Sequence, residues 1–399
     1  MRTLSGLWID RSQRPTLQDQ LARQIRERIR SGGLAPGDAL PSTRDLASEL
    51  KVSRNTAVYA YERLISEGYL DSSPRSGVFV STSITLPRYL KRPAVDKRRV
   101  SASPVAHPSF SAPRPFRPCQ PDVGLFPLLT WNRMRGRTLR REGRNILNYQ
   151  ASCIAGVPEL RENVATYLRD HRGVRCHWNQ VVITSGSQQA LFLLASLLLT
   201  ARDQVYVEDP GYVEARQACS NAGARIVPGP IDDQGLQLPR RGSGKISLIY
   251  TTPSRQFPTG VSLSLARRLA LIDFAATNRS WIIEDDYDSE LRYGAHPLPS
   301  LQSLDHSGRL IYTGTFSKLL FPSLRLGYVV VPEPLLDRFI ELKHLSDDHL
   351  PLLDQSTLAL FLESGAFYSH IRRCRREYAT RHALFLELFE RSGLPLTFL

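Results

Sequence analysis

Between Ser83 and about Pro121 the chain loses every periodicity that builds secondary structure. The stretch is rich in Pro, Ser and basic residues, and Asp96 is its only acid before Asp122. Neither the alternation of a strand nor the 3.6-residue repeat of a helix survives, so the segment cannot bury a core and reads as a linker. Such a break forbids one continuous core. It divides the 399 residues into a small unit (1–82), the linker (83–120) and a large unit (121–399), which suits a chain too long for one small domain. Extended at about 3.1 Å per residue, the linker would span on the order of 100 Å, enough to carry the first unit across to another subunit.

In the first unit Leu17, Leu21, Ile25 and Ile29 recur every fourth residue, which predicts a helix with one apolar face and Arg23, Arg26, Arg28 and Arg30 around it. Gly32-Gly33 stops it and Leu34-Ala35-Pro36-Gly37 turns the chain. Ser42, with Asp45 three residues on, is placed to cap a second helix that buries Leu46 and Leu50. After the Lys51-Val52 turn, Ser53 caps a third helix with Ala57, Tyr61, Leu64 and Ile65 inward. Two short helices joined by a tight turn make a helix-turn-helix, whose second helix enters the DNA major groove by its N-terminal end. Here that end presents Ser53, Arg54, Asn55 and Thr56. Arg can read guanine and Asn adenine, while hydroxyls and helix amides hold phosphates. A hairpin from Leu70 through Arg75-Ser76-Gly77 to Val80 would form a wing with Arg75 near the DNA backbone.

A formal charge of +14 and a pI near 9.8 favour an anionic partner, with double-stranded DNA first. The 42% of hydrophobic residues supports a sizeable core. Five scattered cysteines form no C-x-x-C pair, so reduced thiols in a cytoplasmic protein are expected, with no metal site. The N-terminus carries no apolar run like that of a signal peptide. The most apolar run, Ala190 to Ala201, is about half a membrane span and reads as a buried helix, so no membrane is expected as a partner.

Beyond residue 121 strand and helix patterns alternate. Val181–Thr184, Gln204–Glu208, Ile246–Thr251, Trp281–Asp285 and Arg309–Thr313 read as buried strands, and Leu265–Thr277 as a helix between them. That order predicts an α/β fold on a mostly parallel sheet, with its site at the carboxyl ends of the strands. The chemistry-bearing residues fall at those ends. Gly186-Ser187-Gln188 opens a helix and can take a phosphate. Tyr212 follows Pro210-Gly211, where a ring could stack on a flat cofactor. Asp285 could pair with a protonated ring nitrogen and Tyr287 with a ring hydroxyl. Lys318, in Gly314-Thr315-Phe316-Ser317-Lys318 with Arg325 seven residues on, offers an amine beside hydroxyls and a second cation. A phosphate-bearing aldehyde cofactor needs that set.

The run "LAPGDALPSTRDLASELKVSRNTAVYAYERLISEGYLDSSPRSGVFV" resembles the GntR-type winged helix, which implies DNA contacts at Arg44, Arg54, Thr56 and Gly77. The motifs "TSGSQQAL", "VEDPGY", "TPSRQFPTG", "EDDYDSELRY" and "TGTFSKLLFPSLRLGY" resemble the class I, fold-type I pyridoxal-phosphate aminotransferases. Together the two halves, over residues 15 to about 383, resemble the MocR/GabR branch of GntR-type regulators. The resemblance implies pyridoxal 5'-phosphate as cofactor, with Lys318 as the internal aldimine lysine and Asp285 as partner of the pyridine nitrogen. Tyr287 would meet the ring O3′ and Tyr212 the ring face, and Gly186, Ser187, Gln188, Thr315, Ser317 and Arg325 would hold the phosphate. Tyr149 resembles the tyrosine that reaches the neighbouring subunit's phosphate, which implies a homodimer.

Two departures shape the expectation. Arg255 stands where the family usually has His. The chain also ends at Leu399, soon after a helix expected over Tyr368–Leu388, whereas family members continue through the rest of a small domain and its carboxylate-binding arginine. The expected function is therefore a DNA-binding transcription regulator that senses a small amino compound by external aldimine formation at Lys318. An aminotransferase acting on an amino acid or amine is the alternative, with efficient turnover weakened by the shortened small domain.

Overall fold

Apolar spacing becomes buried faces in both halves of the chain. The computed structural model describes residues 7–12, 15–73, 77–83, 118–239, 244–292 and 299–393, in two units that divide between Ser111 and Ala112. Residues 84–117, most of the expected linker, lie outside the described residues, as does Arg75.

In the first unit, helix α1 (Leu17–Arg30) is capped by Thr16 and buries Leu21, Ile25 and Ile29. Each such side chain, moved out of water, contributes about 1.5–3 kcal/mol. Helix α2 (Thr43–Glu49) starts at Ser42, whose Oγ accepts from the Asp45 N–H, and α3 (Arg54–Ser66) starts at Ser53, whose Oγ accepts from the Thr56 N–H. Four residues, Leu50 to Ser53, separate the two helices. Lys51 sits there at φ 52°, and the Val52 N–H donates to the Ala47 carbonyl at 3.0 Å. The Tyr61 hydroxyl, buried from α3, donates to the Pro41 carbonyl at 3.0 Å and fixes the approach to α2. The antiparallel pair β1 (Leu70–Ser73) and β2 (Gly77–Val80) closes the wing, with Leu70 opposite Val80 and Ser73 opposite Gly77.

The second unit is built on an eight-stranded sheet. Its strands are β3 (Val181–Thr184), β4 (Gln204–Asp209), β5 (Arg225–Asp232), β6 (Gly235–Leu236), β7 (Ile246–Thr251), β8 (Trp281–Asp286), β9 (Leu310–Thr315) and β10 (Gly327–Val330), in the order β3-β10-β9-β8-β7-β4-β5-β6. Strands β5, β4, β7, β8 and β9 run parallel. Strand β10 is antiparallel to both of its neighbours, β9 and β3. Successive residues serve opposite faces. Ile183, Tyr312 and Tyr328 join the helices 128–142, 158–172 and 352–363, whereas Val182, Ile311 and Val329 join 187–198, 213–221 and 333–347. Burial on both faces explains why β3, β4, β7, β8, β9 and β10 read as continuous apolar runs, whereas β5, with Pro228, Gly229 and Pro230, is half-buried or exposed except at Gly229. No helix among the described residues is long and apolar enough to cross a membrane.

Candidate functional site

Five chain segments deliver side chains to the carboxyl edge of the sheet. After β3, Gly186 adopts φ 78° and opens the helix Ser187–Leu198, so that helix's first amides face the edge. Because β10 runs the other way, its start lies at the edge where the parallel strands end. This brings Arg325, at φ 51°, beside that turn. The Arg325 Nη2 donates to the Ser185 carbonyl at 2.9 Å, and a Cβ added to Gly186 would stand 3.4 Å from the guanidinium. Gly327 allows the close approach: its missing Cβ would lie 2.8 Å from the Gly314 carbonyl oxygen and 2.9 Å from Gly186 Cα.

One cavity collects Ser187, Tyr212, Asp285, Tyr287, Thr315 and Lys318. Tyr250, Thr252, Phe257 and Cys119 line it as well, and the residue patterns had not singled them out as site residues. Tyr250 lies in the apolar run ISLIYT and reads as core, and nothing in its spacing marks it. Its hydroxyl nonetheless donates to Asp285 Oδ2 at 2.8 Å, while Thr313 Oγ1 donates to Oδ1 at 3.3 Å. Phe257 meets Tyr212 and Tyr287 edge-on, with ring centroids 6.2 and 6.4 Å apart. Glu208 is buried and accepts from Thr251 Oγ1, Thr252 N and Oγ1, and Gln256 Nε2. Gln256 also donates to the Pro210 carbonyl at 2.8 Å, which ties the Tyr212 turn to the β7 loop. Lys318 Nζ donates to the Cys119 carbonyl at 3.0 Å.

Gly186, Gln188 and Arg325 are not among the residues that line this cavity: Arg325 is exposed and packs on buried Gly186, and Gln188 is exposed on its helix. The Ser317 Oγ is buried with no hydrogen-bond partner among the described residues, beside Thr315 and Lys318. Tyr149 is 88% exposed and is not among the described residues that line the Lys318 cavity in its own chain.

Burial pushes the Asp285 carboxyl up to about 6, against the lowering by the hydroxyls of Tyr250 and Thr313. Burial likewise raises the hydroxyls of Tyr212 and Tyr287. These features fit pyridoxal phosphate. A buried carboxylate short of a cation suits a protonated ring nitrogen, and a helix N-terminus meeting a guanidinium at Gly186, together with the orphaned hydroxyl of Ser317, suits a phosphate. Without the cofactor, the folded protein holds the Asp285 proton to about pH 6 whereas the unfolded chain loses it near 3.8. Stability from this group is therefore present at low pH and lost as pH rises through 6. Asp285→Asn should flatten that slope by on the order of 2–3 kcal/mol between pH 4 and 7 in urea unfolding of cofactor-free protein.

On the first unit, Arg44, Ser53, Arg54 and Asn55 are exposed, Thr56 is half-buried, and Gly77 turns the wing at φ 82°. The hydroxyls of Ser53 and Thr56 lie 2.8 Å apart across the helix cap. Arg26 and Arg63 share Glu67, with Arg26 Nε 2.9 Å and Arg63 Nε 3.0 Å from its carboxylate, and Arg63 also pairs with Asp19. Among the described residues Arg44 and Arg54 have no acidic partner, so open cations stand at the start of α2 and α3, as they also do at Arg23, Arg30 and Lys51.

The family model for bacterial regulatory proteins of the gntR family matches residues 17–80, and that for class I and II aminotransferases matches residues 125–397. A probable rhizopine catabolism regulatory protein MocR of Rhizobium meliloti is 38% identical over 396 residues, covering 96% of this chain and 79% of that protein. The HTH-type transcriptional regulator TauR of Rhodobacter capsulatus is 35% identical, covering 96% of this chain and 81% of its own length. Among solved structures, kynurenine aminotransferase of Pyrococcus horikoshii is similar with a TM-score of 0.63 and 30% identity, over 68% of this chain and 69% of that one. LysN, an α-aminoadipate aminotransferase of Thermus thermophilus solved with N-(5'-phosphopyridoxyl)-L-leucine, is similar with a TM-score of 0.63 and 31% identity, over 70% and 71%.

Proposed function

This chain belongs to the MocR-type branch of the GntR family and is a DNA-binding, pyridoxal-phosphate-binding transcription regulator; from that premise we propose that it senses a small amino compound at Lys318. The observation that carries this reading is the convergence of Lys318 and the buried carboxylate of Asp285 on one cavity, with Tyr212 and Tyr287 in its walls.

Pyridoxal phosphate, when bound, supplies an aldehyde that a lysine amine holds and that another primary amine can take over. Lys318 would be that lysine. Asp285, kept dry and oriented by Tyr250 and Thr313, would hold the proton at the pyridine nitrogen. Tyr287 would bond the ring hydroxyl and Tyr212 would cover the ring face. Ser187, Thr315, Ser317 and Arg325, with the amides after Gly186, would hold the phosphate, and Gln188 would act only through its backbone. Lys318 also links the site to the segment leading from the linker. Its ammonium donates to the Cys119 carbonyl when free and loses that bond when its nitrogen is engaged. An effector that frees Lys318 would thus change what the linker end is fastened to, which supplies the differential contact a ligand-driven shift requires.

Titrating the cofactor-loaded protein with primary amines, with and without operator DNA, tests the reading. Amine-dependent change in the cofactor absorbance should come with altered DNA affinity. A spectral change that leaves DNA binding untouched at every amine concentration would sink the sensing role. The alternative, an aminotransferase, draws on the same Lys318–Asp285 pair, and steady keto-acid production from an amino donor would favour it. In the proposed assembly two chains pair and Tyr149, with exposed Leu147 beside it, reaches the partner's phosphate site. Sedimentation at twice the chain mass, lost in Tyr149→Asp with Leu147→Asp, checks this.

For DNA, Arg54 is the proposed base reader. Arg54→Ala should weaken specific binding by about 1–3 kcal/mol and relax preference at one base position. An equal loss on all sequences, with a shallower salt dependence, would mark Arg54 as a phosphate contact instead.

A further inference from the structure

Beside Lys318 lies a second cavity, lined by Gln120, Arg255, Tyr287, Asp288, Leu291 and Tyr378, and it shares Cys119, Tyr287 and Lys318 with the first. An amine engaged at Lys318's position has this space for its far end. Besides Lys318, the charged groups in the wall are Arg255 and Asp288, with Nη1 and Oδ2 3.3 Å apart and side chains 35% and 17% exposed. Burial raises the Asp288 carboxyl to about 6 even though Arg255 and Lys318 both pull it down.

The pair is loose. Among the described residues neither side chain forms a hydrogen bond, so Arg255 keeps N–H donors and Asp288 keeps lone pairs open to the cavity. A distal carboxylate entering here would stand against Asp288. A distal ammonium would stand against Arg255 and Lys318. An uncharged hydroxyl can donate to Asp288 and accept from Arg255 at once, completing both groups without adding charge. Selection of this kind works as much by what the opposite charge rejects as by what the fitting group gains.

We propose that the Arg255–Asp288 pair sets the effector class, selecting primary amines whose far end is an uncharged donor–acceptor group such as a hydroxyl over amines with a second charge. This rests on the sensing role of Lys318. It also gives a use to Arg255, the residue that departs from the histidine usual in the family pattern.

The test titrates the full, cofactor-loaded chain with 1-butylamine, 4-aminobutan-1-ol, 4-aminobutanoate and 1,4-diaminobutane, and with their three- and five-carbon counterparts. Cofactor absorbance and the shift in unfolding temperature are both read. The amino alcohol should bind on the order of tenfold tighter than the matched amino acid and diamine at one or more lengths, the scale of one unmatched polar group. Asp288→Asn leaves Arg255 unopposed and should move the preference to the amino acid. Arg255→Gln leaves Asp288 unopposed and should move it to the diamine. The proposal is overturned if a charged series binds as well as the alcohols at every length, or if either variant keeps the wild-type order. If no amine, 1-butylamine included, changes the absorbance of loaded protein, the sensing role itself fails. A response to 1-butylamine without the expected order removes the selectivity proposal alone.

Discussion

Lys318→Ala protein, purified with excess pyridoxal phosphate and dialysed, should lose the visible absorbance of lysine-bound cofactor altogether. Among the described residues no other lysine lines the cavity, so none there replaces the first amine. The fold should survive. Lys318 is only half-buried, and its Nζ makes one hydrogen bond, to the Cys119 carbonyl. Truncating it therefore strands one carbonyl, at a cost of about 1–3 kcal/mol at most, which far-UV circular dichroism and a melt would register as a small change. Lys318→Arg separates charge from chemistry. It keeps a cation for the carbonyl and still lacks an amine that can hold an aldehyde, so it should be equally colourless. A variant that retains the spectrum would overturn the lysine assignment, whatever its DNA affinity.

The second large effect concerns stability. Arg172 ends the helix 158–172 and reaches Asp286 at the end of β8, with Nη2 at 2.7 Å and Nε at 2.8 Å from Oδ2. Both side chains are almost fully buried, at 2% and 1% exposed. Arg172 Nη2 also donates to Ser254 Oγ at 2.9 Å, and the Tyr312 hydroxyl donates to Asp286 Oδ2 at 2.5 Å. Arg172→Met leaves a carboxylate buried without its cation, and losses of about 3–5 kcal/mol are usual for such half-removed pairs. Urea unfolding should show it as a lower midpoint at unchanged slope. Asp286→Leu added to Arg172→Met should recover much of the loss, because the uncompensated charge is then gone. If the single variant unfolds like wild type, the pair contributes only geometry. Asp286 adjoins Asp285 and Ser254 adjoins Arg255, so cofactor retention in Arg172→Met should fall along with stability.

Most of the winged helix was legible because its signals are local. Ser42 and Ser53 announce helix starts by a hydroxyl three residues before an amide, and Leu21, Ile25 and Ile29 announce a face. Strands β3, β4, β7, β8 and β9 were legible as apolar runs, and the candidate site residues as polar interruptions at the ends of those runs, whereas β5, broken by Pro228, Gly229 and Pro230, and the two-residue β6 were not. Three further features were hidden. The antiparallel β10 is a four-residue apolar run that spacing alone cannot orient. Tyr250 looks like core because a strand buried on both faces hides the hydroxyl that donates to Asp285 among packed rings. Phe257 and Cys119 come to the cavity through loop geometry, which leaves no periodic trace. The family motifs pointed to the lysine, the aspartate and the turn after β3 as the residues to examine. They said nothing of the hydroxyls holding Asp285 or of the Arg255–Asp288 pair, which exist only once separate loops meet.

Strand β10 also has a meaning in time. The turn after β3 and the turn after β9 are about 130 residues apart in the chain, and β10, made after both, is the strand that zips them side by side. Contacts of such long sequence separation form late. Synthesis proceeds from the N-terminus, and domains fold as units as they emerge. A growing chain therefore presents a finished DNA-reading module for most of its synthesis before any cradle for the cofactor can close. Freshly made protein passes through a stage with a folded DNA-reading module and no closed cofactor site.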